Sequence, residues 1–169
     1  MWSGKGILMD LELPLEVSLE QDLLLQELVE TYTQTVGYLL QQRDLPKRQE
    51  LTTNLKKAHF KTRAIADAWI IRNRAETPIK LPSFRMNGIS YRITKKNVLC
   101  FRAFVFQGTV DFLFKIKLQV PGGQITEDQQ GVLTLFKDHR GWIVKIVPKK
   151  IVNRERQKLR RDLFQSIIL

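Results

Sequence analysis

The sequence predicts an α+β fold: an antiparallel, barrel-like β-sheet, an inserted helical lobe and a basic C-terminal helix. Three observations lead there. A short alternating segment opens the chain. Apolar residues then recur at helical spacing as far as about residue 75. After Pro82 the period changes to two, with β-branched and aromatic residues separated by short polar breaks.

From Gly6 to Leu15, the residues Ile7, Met9, Leu11, Leu13 and Leu15 alternate with Leu8, Asp10, Glu12 and Pro14. This is the pattern of a strand with one buried face, and Pro14 places it at an edge or an end. Ser18 followed three residues later by Gln21 makes a capping box. Leu24, Leu25, Leu28, Tyr32, Val36 and Leu39 then predict a helix over 19–42. Its acids cluster in the first half, where the helix dipole favours them. Arg43-Asp44-Leu45-Pro46 is a break, with Pro46 suited to a first helical turn. Leu51, Leu55, Ala58, Ile65 and Trp69 form one stripe, so one or two helices are expected over 47–75, basic on the exposed side. The segment from Thr77 to Pro82 reads as a linker.

Strands are expected at Gly88–Thr94, Val98–Phe106 and Thr109–Val120, separated by Lys95-Lys96-Asn97 and Gln107-Gly108. Breaks that short are hairpin signals. After a polar loop, Val132–Phe136 and Trp142–Val147 flank the turn Asp138-His139-Arg140-Gly141. Five strands in meander order plus the first one point to the barrel-like sheet. A final helix over about 153–168 carries Leu159, Leu163, Phe164 and Ile167 on one face. The expected organisation is a β domain of residues 1–17 and 78–150, a helical lobe of 18–77, and the basic helix of 151–169.

Charge is segregated along this frame. Residues 1–42 hold one base, Lys5, and seven acids, a balance of −6. The chain total of +11 therefore leaves +17 for residues 43–169. A field of that sign attracts polyanions, and RNA or DNA is the usual partner of such a surface. The blander explanation is a basic surface kept for solubility.

Catalytic constellations are missing from the sequence. His59 and His139 have no metal-ligand spacing around them. Cys100, within a predicted strand, reads as a small core residue, and a lone cysteine permits no internal disulfide or cysteine zinc site. Gly122-Gly123 lacks the lysine and hydroxyl of a phosphate-binding loop. Asp111, Asp128 and Asp138 are not paired by their spacing. The expectation is a protein that is not an enzyme, with no cofactor and no metal. No signal-peptide pattern or membrane-length apolar run is seen, and a reducing, cytoplasmic compartment is expected.

Binding chemistry is better represented. Arg43, Lys47, Arg48, Lys56, Lys57, Lys61 and Arg63 line the helical lobe, and Arg154, Arg156 and Arg160 the final helix. These suit phosphate contacts. Around the first hairpin, Arg85, Arg92, Lys95 and Lys96 surround Tyr91, whose ring either stacks an unpaired base or belongs to the sheet core.

Taken in order, the segments resemble the N-terminal part of the transposon-encoded RNA-guided nucleases of the TnpB (OrfB) type, to which type V CRISPR effectors are similar. The likeness runs over about residues 5–148. It is carried by Ile7–Leu13 leading into Leu24, Leu28, Tyr32 and Val36, and by the proline-marked passage Lys80-Leu81-Pro82-Ser83-Phe84-Arg85. Ile89-Ser90-Tyr91-Arg92, the glycine-led basic strand from Gly108 to Lys115, Leu135-Phe136-Lys137 and Gly141-Trp142-Ile143-Val144 continue it. No single one of these motifs is diagnostic. In that family these parts form the wedge and recognition domains, which hold the guide-RNA scaffold and help read a short DNA motif. Family members continue into an RNase-H-like nuclease with three carboxylates and a zinc ribbon. Here a basic helix follows Val147 instead, so the resemblance implies RNA or DNA binding without cleavage.

The expected function is therefore a nuclease-less protein binding a structured, guide-like RNA, with duplex DNA as a second ligand. Six phosphate contacts would give a log–log salt slope of about −5 on duplex DNA. The alternatives are a protein–protein adaptor docking a basic partner on its acidic first helix, and a subunit of a split nuclease completed by another chain. A decayed fragment is a further alternative, which the intact strand alternation argues against.

Overall fold

A computed structural model of the chain describes residues 10–74, 79–107, 110–122 and 125–168. Strand β1 (Leu11–Pro14) leads into helix α1 (Leu19–Gln41), and helix α2 is Ala58–Asn73. Then come β2 (Phe84–Met86), β3 (Tyr91–Ile93), β4 (Val98–Gln107), β5 (Val110–Gln119), β6 (Leu133–Asp138) and β7 (Gly141–Ile146). Helix α3 is Lys149–Ile168. The architecture is α+β with antiparallel sheets.

The strands are divided between two sheets, and neither closes into a barrel. One has the order β1-β7-β6-β2, the other β3-β4-β5. The division follows from β2, whose three buried residues carry no alternation to mark them as a strand. Phe84, Arg85 and Met86 pair with Leu135, Thr134 and Leu133, which commits the chain to β6 before residues 87–90 turn it back into β3. That turn also shortens the strand expected at 88–94 to three residues. The sheets touch through an isolated bridge, Glu16 to Gln119, with the Glu16 N–H donating to the Gln119 carbonyl at 3.0 Å. On the far edge, the Gln130 side chain acts as a substitute strand. The Ile93 N–H donates to its Oε1 at 3.0 Å, and its Nε2 donates to the Ile93 carbonyl at 3.3 Å.

Helix α1 starts where the capping box places it. The Gln21 N–H donates to Ser18 Oγ at 3.2 Å, and the Ser18 N–H donates to Gln21 Oε1 at 3.0 Å. Gln21 also donates from Nε2 to the Lys117 carbonyl at 2.8 Å, fixing the helix to the end of β5. The region 47–75 is less helical than its apolar stripe implies. Only a 3₁₀ turn at Arg48–Glu50 precedes α2, although Leu51 and Leu55 are both buried. Between them Thr53 Oγ1 accepts the Leu55 N–H and pairs with Thr35 Oγ1 at 2.6 Å, local bonds that compete with helix formation. Helix α3 begins four residues earlier than expected, at Lys149 next to Pro148, whose carbonyl accepts the Ile151 N–H. The side chains proposed for its apolar face lie outside the described residues, as do residues 6–9 of the first strand, the 108–109 turn and Gly123.

One hydrophobic cluster runs through α1, α2 and both sheets. Phe84 of β2 is its hub. Its ring meets Tyr32 of α1 at 5.7 Å and Phe60 of α2 at 5.0 Å, both edge-on, and stacks on Phe101 of β4 at 6.0 Å. Edge-to-face contacts of this kind add to what burial alone contributes.

Candidate nucleic-acid interface

Alternation along β4 and β5 separates two faces. Leu99, Phe101, Ala103 and Val105 of β4 are buried, as are Ile116 and Leu118 of β5. The opposite parity faces outward, and the register aligns it in rows. Arg92 pairs with Cys100, which pairs with Lys117; one row along, Arg102 pairs with Lys115; the next row is Phe104 with Leu113. Arg92, Arg102, Lys115 and Lys117 are all exposed. At the β3–β4 turn Asn97 takes φ 59°, a left-handed conformation that asparagine tolerates, and Lys95 and Lys96 stand exposed beside it.

Two shallow depressions occupy this face and share Arg92, Cys100 and Lys115. One, of about 320 Å³, is also lined by Lys57, Ile89 and Arg102. The other, of about 420 Å³, is also lined by Lys95, Lys96 and Lys117. Seven cations and no carboxylate line the pair. Lys57 donates to the Arg102 carbonyl at 3.2 Å and lies 5.4 Å from the Phe60 ring centre. Burial, and then the neighbouring Arg102 charge, hold its ammonium below the ordinary 10.5. Cys100, read from sequence as a core residue, is instead half-buried on this outward face, because its parity matches that of Arg102.

The remaining sequence candidates are dispersed. Arg43, Lys47 and Arg48 are exposed between α1 and α2, and Arg154, Arg156 and Arg160 are exposed along α3. Lys56 is exposed, and Lys61 donates from Nζ to the Leu51 carbonyl at 3.0 Å. Tyr91 is buried, and its hydroxyl donates to the Gly131 carbonyl at 2.7 Å, so the ring belongs to the core and is not a free stacking platform. That burial raises the hydroxyl far above its usual range.

Arg63 and Arg85 serve a buried carboxylate that the sequence reading passed over. Asp67 of α2 is fully buried. Arg63 Nε lies 3.0 Å from Oδ1 and Arg85 Nε 3.4 Å from Oδ2, and the Tyr32 hydroxyl donates to Oδ2. Arg63 also donates to Asn87 Oδ1 at 3.2 Å. Burial first, then the Asp67 charge, push the Tyr32 hydroxyl well above its ordinary 10.0. Both guanidiniums are therefore engaged in joining α1, α2 and β2. Arg72 is engaged as well: it donates to the Leu39 carbonyl at 3.0 Å and to the Leu40 carbonyl at 3.3 Å, satisfying the exposed end of α1.

The candidates that the sequence reading missed are Arg102, Lys115 and Lys117. Arg102 is the one base of β4 and Lys115 and Lys117 are the two of β5, and only the strand register brings the three together. Among the described residues, no group of three or more histidines, cysteines or carboxylates could hold a metal ion, and no helix is long and apolar enough to cross a membrane. No family model, curated protein or solved structure matches the chain.

Proposed function

We propose that this chain binds nucleic acid through a TnpB-like wedge, holding a structured RNA first and duplex DNA second on the outer face of β3, β4 and β5. The observation that carries this reading is the group of seven cations, with no carboxylate beside them, that lines the two depressions and is aligned by strand register. Phosphates are recognised by cations so disposed, and recognition through shape and backbone requires no base code. The barrel-like part of the reading draws support from the two sheet edges, one bridged by Glu16 and the other covered by Gln130.

Seven phosphate contacts imply a log–log salt slope of about −5 on single-stranded RNA. Replacing Lys115 and Lys117 by alanine should shallow it by about 1.4, two contacts at about 0.7 each. A slope near zero for the unaltered protein would refute the electrostatic reading. The adaptor alternative is favoured by α1, where Leu19, Leu23 and Tyr38 are 78%, 61% and 52% exposed. A partner held there would survive RNase and DNase during purification, whereas a nucleic acid would not.

A further inference from the structure

The cationic rows end on an apolar one. Phe104 and Leu113 are directly opposite across β4 and β5, on the same face as Arg102 and Lys115 and one row beyond them. Leu113 is 51% exposed and Phe104 is half-buried on that face. A directly opposed Phe–Leu pair supports the hairpin it sits on, and here it also leaves apolar surface beside the cations. Rows on one strand face are about 6.8 Å apart, so the ring and the Arg102–Lys115 pair are within reach of one nucleotide's base and phosphate.

Resting on the nucleic-acid reading above, we propose that Phe104, backed by Leu113, is a stacking subsite for one unpaired base, with Arg102 and Lys115 holding the adjoining phosphate. The ligand this face prefers is then a single strand, or the unpaired segment of a folded RNA, in place of a continuous duplex. A duplex keeps its bases stacked inside and presents only phosphate and sugar to a flat sheet, so it can use the cations but not the ring. A strand with free bases uses both, and stacking tolerates any base because each has a π-face. A lipid surface also combines anions with apolar depth, but it is entered by apolar groups that project beyond the cations. Phe104 is instead partly covered on a strand, with the longer arginine and lysine side chains in the next row.

The test is titration of oligouridine, and of a blunt RNA duplex with the same number of phosphates, against the full chain and three variants. Phe104→Ala should weaken oligouridine binding about tenfold or more, within the range measured for one lost base stack, and leave duplex binding within twofold. Phe104→Trp should restore the preference, which a merely structural role would not. Arg102→Ala with Lys115→Ala should weaken both ligands. Equal losses of both ligands in Phe104→Ala, or no loss of either, would overturn the stacking subsite while leaving the cationic face in place. If the unaltered protein bound neither RNA, the nucleic-acid reading itself would fail. Binding to phosphatidylserine vesicles that is lost in Phe104→Ala, with no preference for single strands, would assign the face to membranes and overturn the proposal.

Discussion

Replacing Asp67 by asparagine tests the central joint of the fold. The side chain keeps its shape and can still accept from Tyr32, but the carboxylate that opposes Arg63 and Arg85 among the described residues is gone. Those side chains are 12% and 10% exposed, so neither is free to hydrate fully. Breaking a buried ion pair from one side costs about 3–5 kcal/mol, because a charge is left uncompensated. Arg63 retains its bond to Asn87, which places the expected loss near the lower end, about 3 kcal/mol. For a chain of this length that corresponds to a Tm lower by roughly 6–12 °C. Urea unfolding followed by far-UV circular dichroism measures the free energy directly. Adding Arg85→Met to Asp67→Asn removes one stranded charge and should recover at least about 1 kcal/mol of the loss, a coupling expected of residues in one network. A single-variant loss below about 1 kcal/mol, or strictly additive effects, would refute the view that Asp67 neutralises the two arginines.

Other outcomes follow from the same geometry. A Cβ at Gly131 would lie 2.0 Å from the Val147 carbonyl oxygen and 3.0 Å from the Pro148 carbonyl carbon, so Gly131→Ala should cost about 3 kcal/mol or more in the same urea assay. Asp22 accepts from Lys137 Nζ at 2.9 Å and from Trp142 Nε1 at 2.7 Å, and these bonds, the lysine's first, hold its carboxyl below the ordinary 3.8. The folded state thus binds that proton more weakly than the unfolded chain. The stability from Asp22 is complete above its ordinary value and lost as pH falls through the folded one, so Asp22→Asn should flatten the acid limb of a stability–pH curve. Cys100, the chain's one cysteine, lies in both cationic depressions, and its alkylation by a maleimide should slow severalfold when oligouridine is bound and return to the free rate at high salt.

Local signals in the sequence translated well into elements. The Ser18–Gln21 capping box, the 3.6-residue period of α1 and the alternation in β4, β5 and β6 each depend on neighbours close in the chain. What could not be seen depends on distant partners. Phe84, Arg85 and Met86 are all buried and show no alternation, and only pairing with β6 makes them a strand. Asp67 looks like one polar residue in a basic helix until Tyr32 and Arg85 are brought to it. The same blindness misassigned cations: Arg63 and Arg85 count as surface charge in composition but face a buried carboxylate, whereas Arg102, Lys115 and Lys117 come together only when β4 and β5 are set in register. Cys100 went with them, because the outward parity of β4 is fixed by which face meets Phe84.

The pairing of β1 with β7 has a kinetic corollary. Leu11 is aligned with Ile146, one of the most distant partnerships the chain makes, while β3, β4 and β5 are joined by tight hairpins. Loop closure over so long a span is slow compared with forming a hairpin. On a ribosome, β1 therefore waits unpaired until every later strand has emerged. The three hairpin strands have no such wait. Vectorial synthesis thus exposes β1 to errant strand pairing for longest, and it is there that a chaperone would relieve misfolding most.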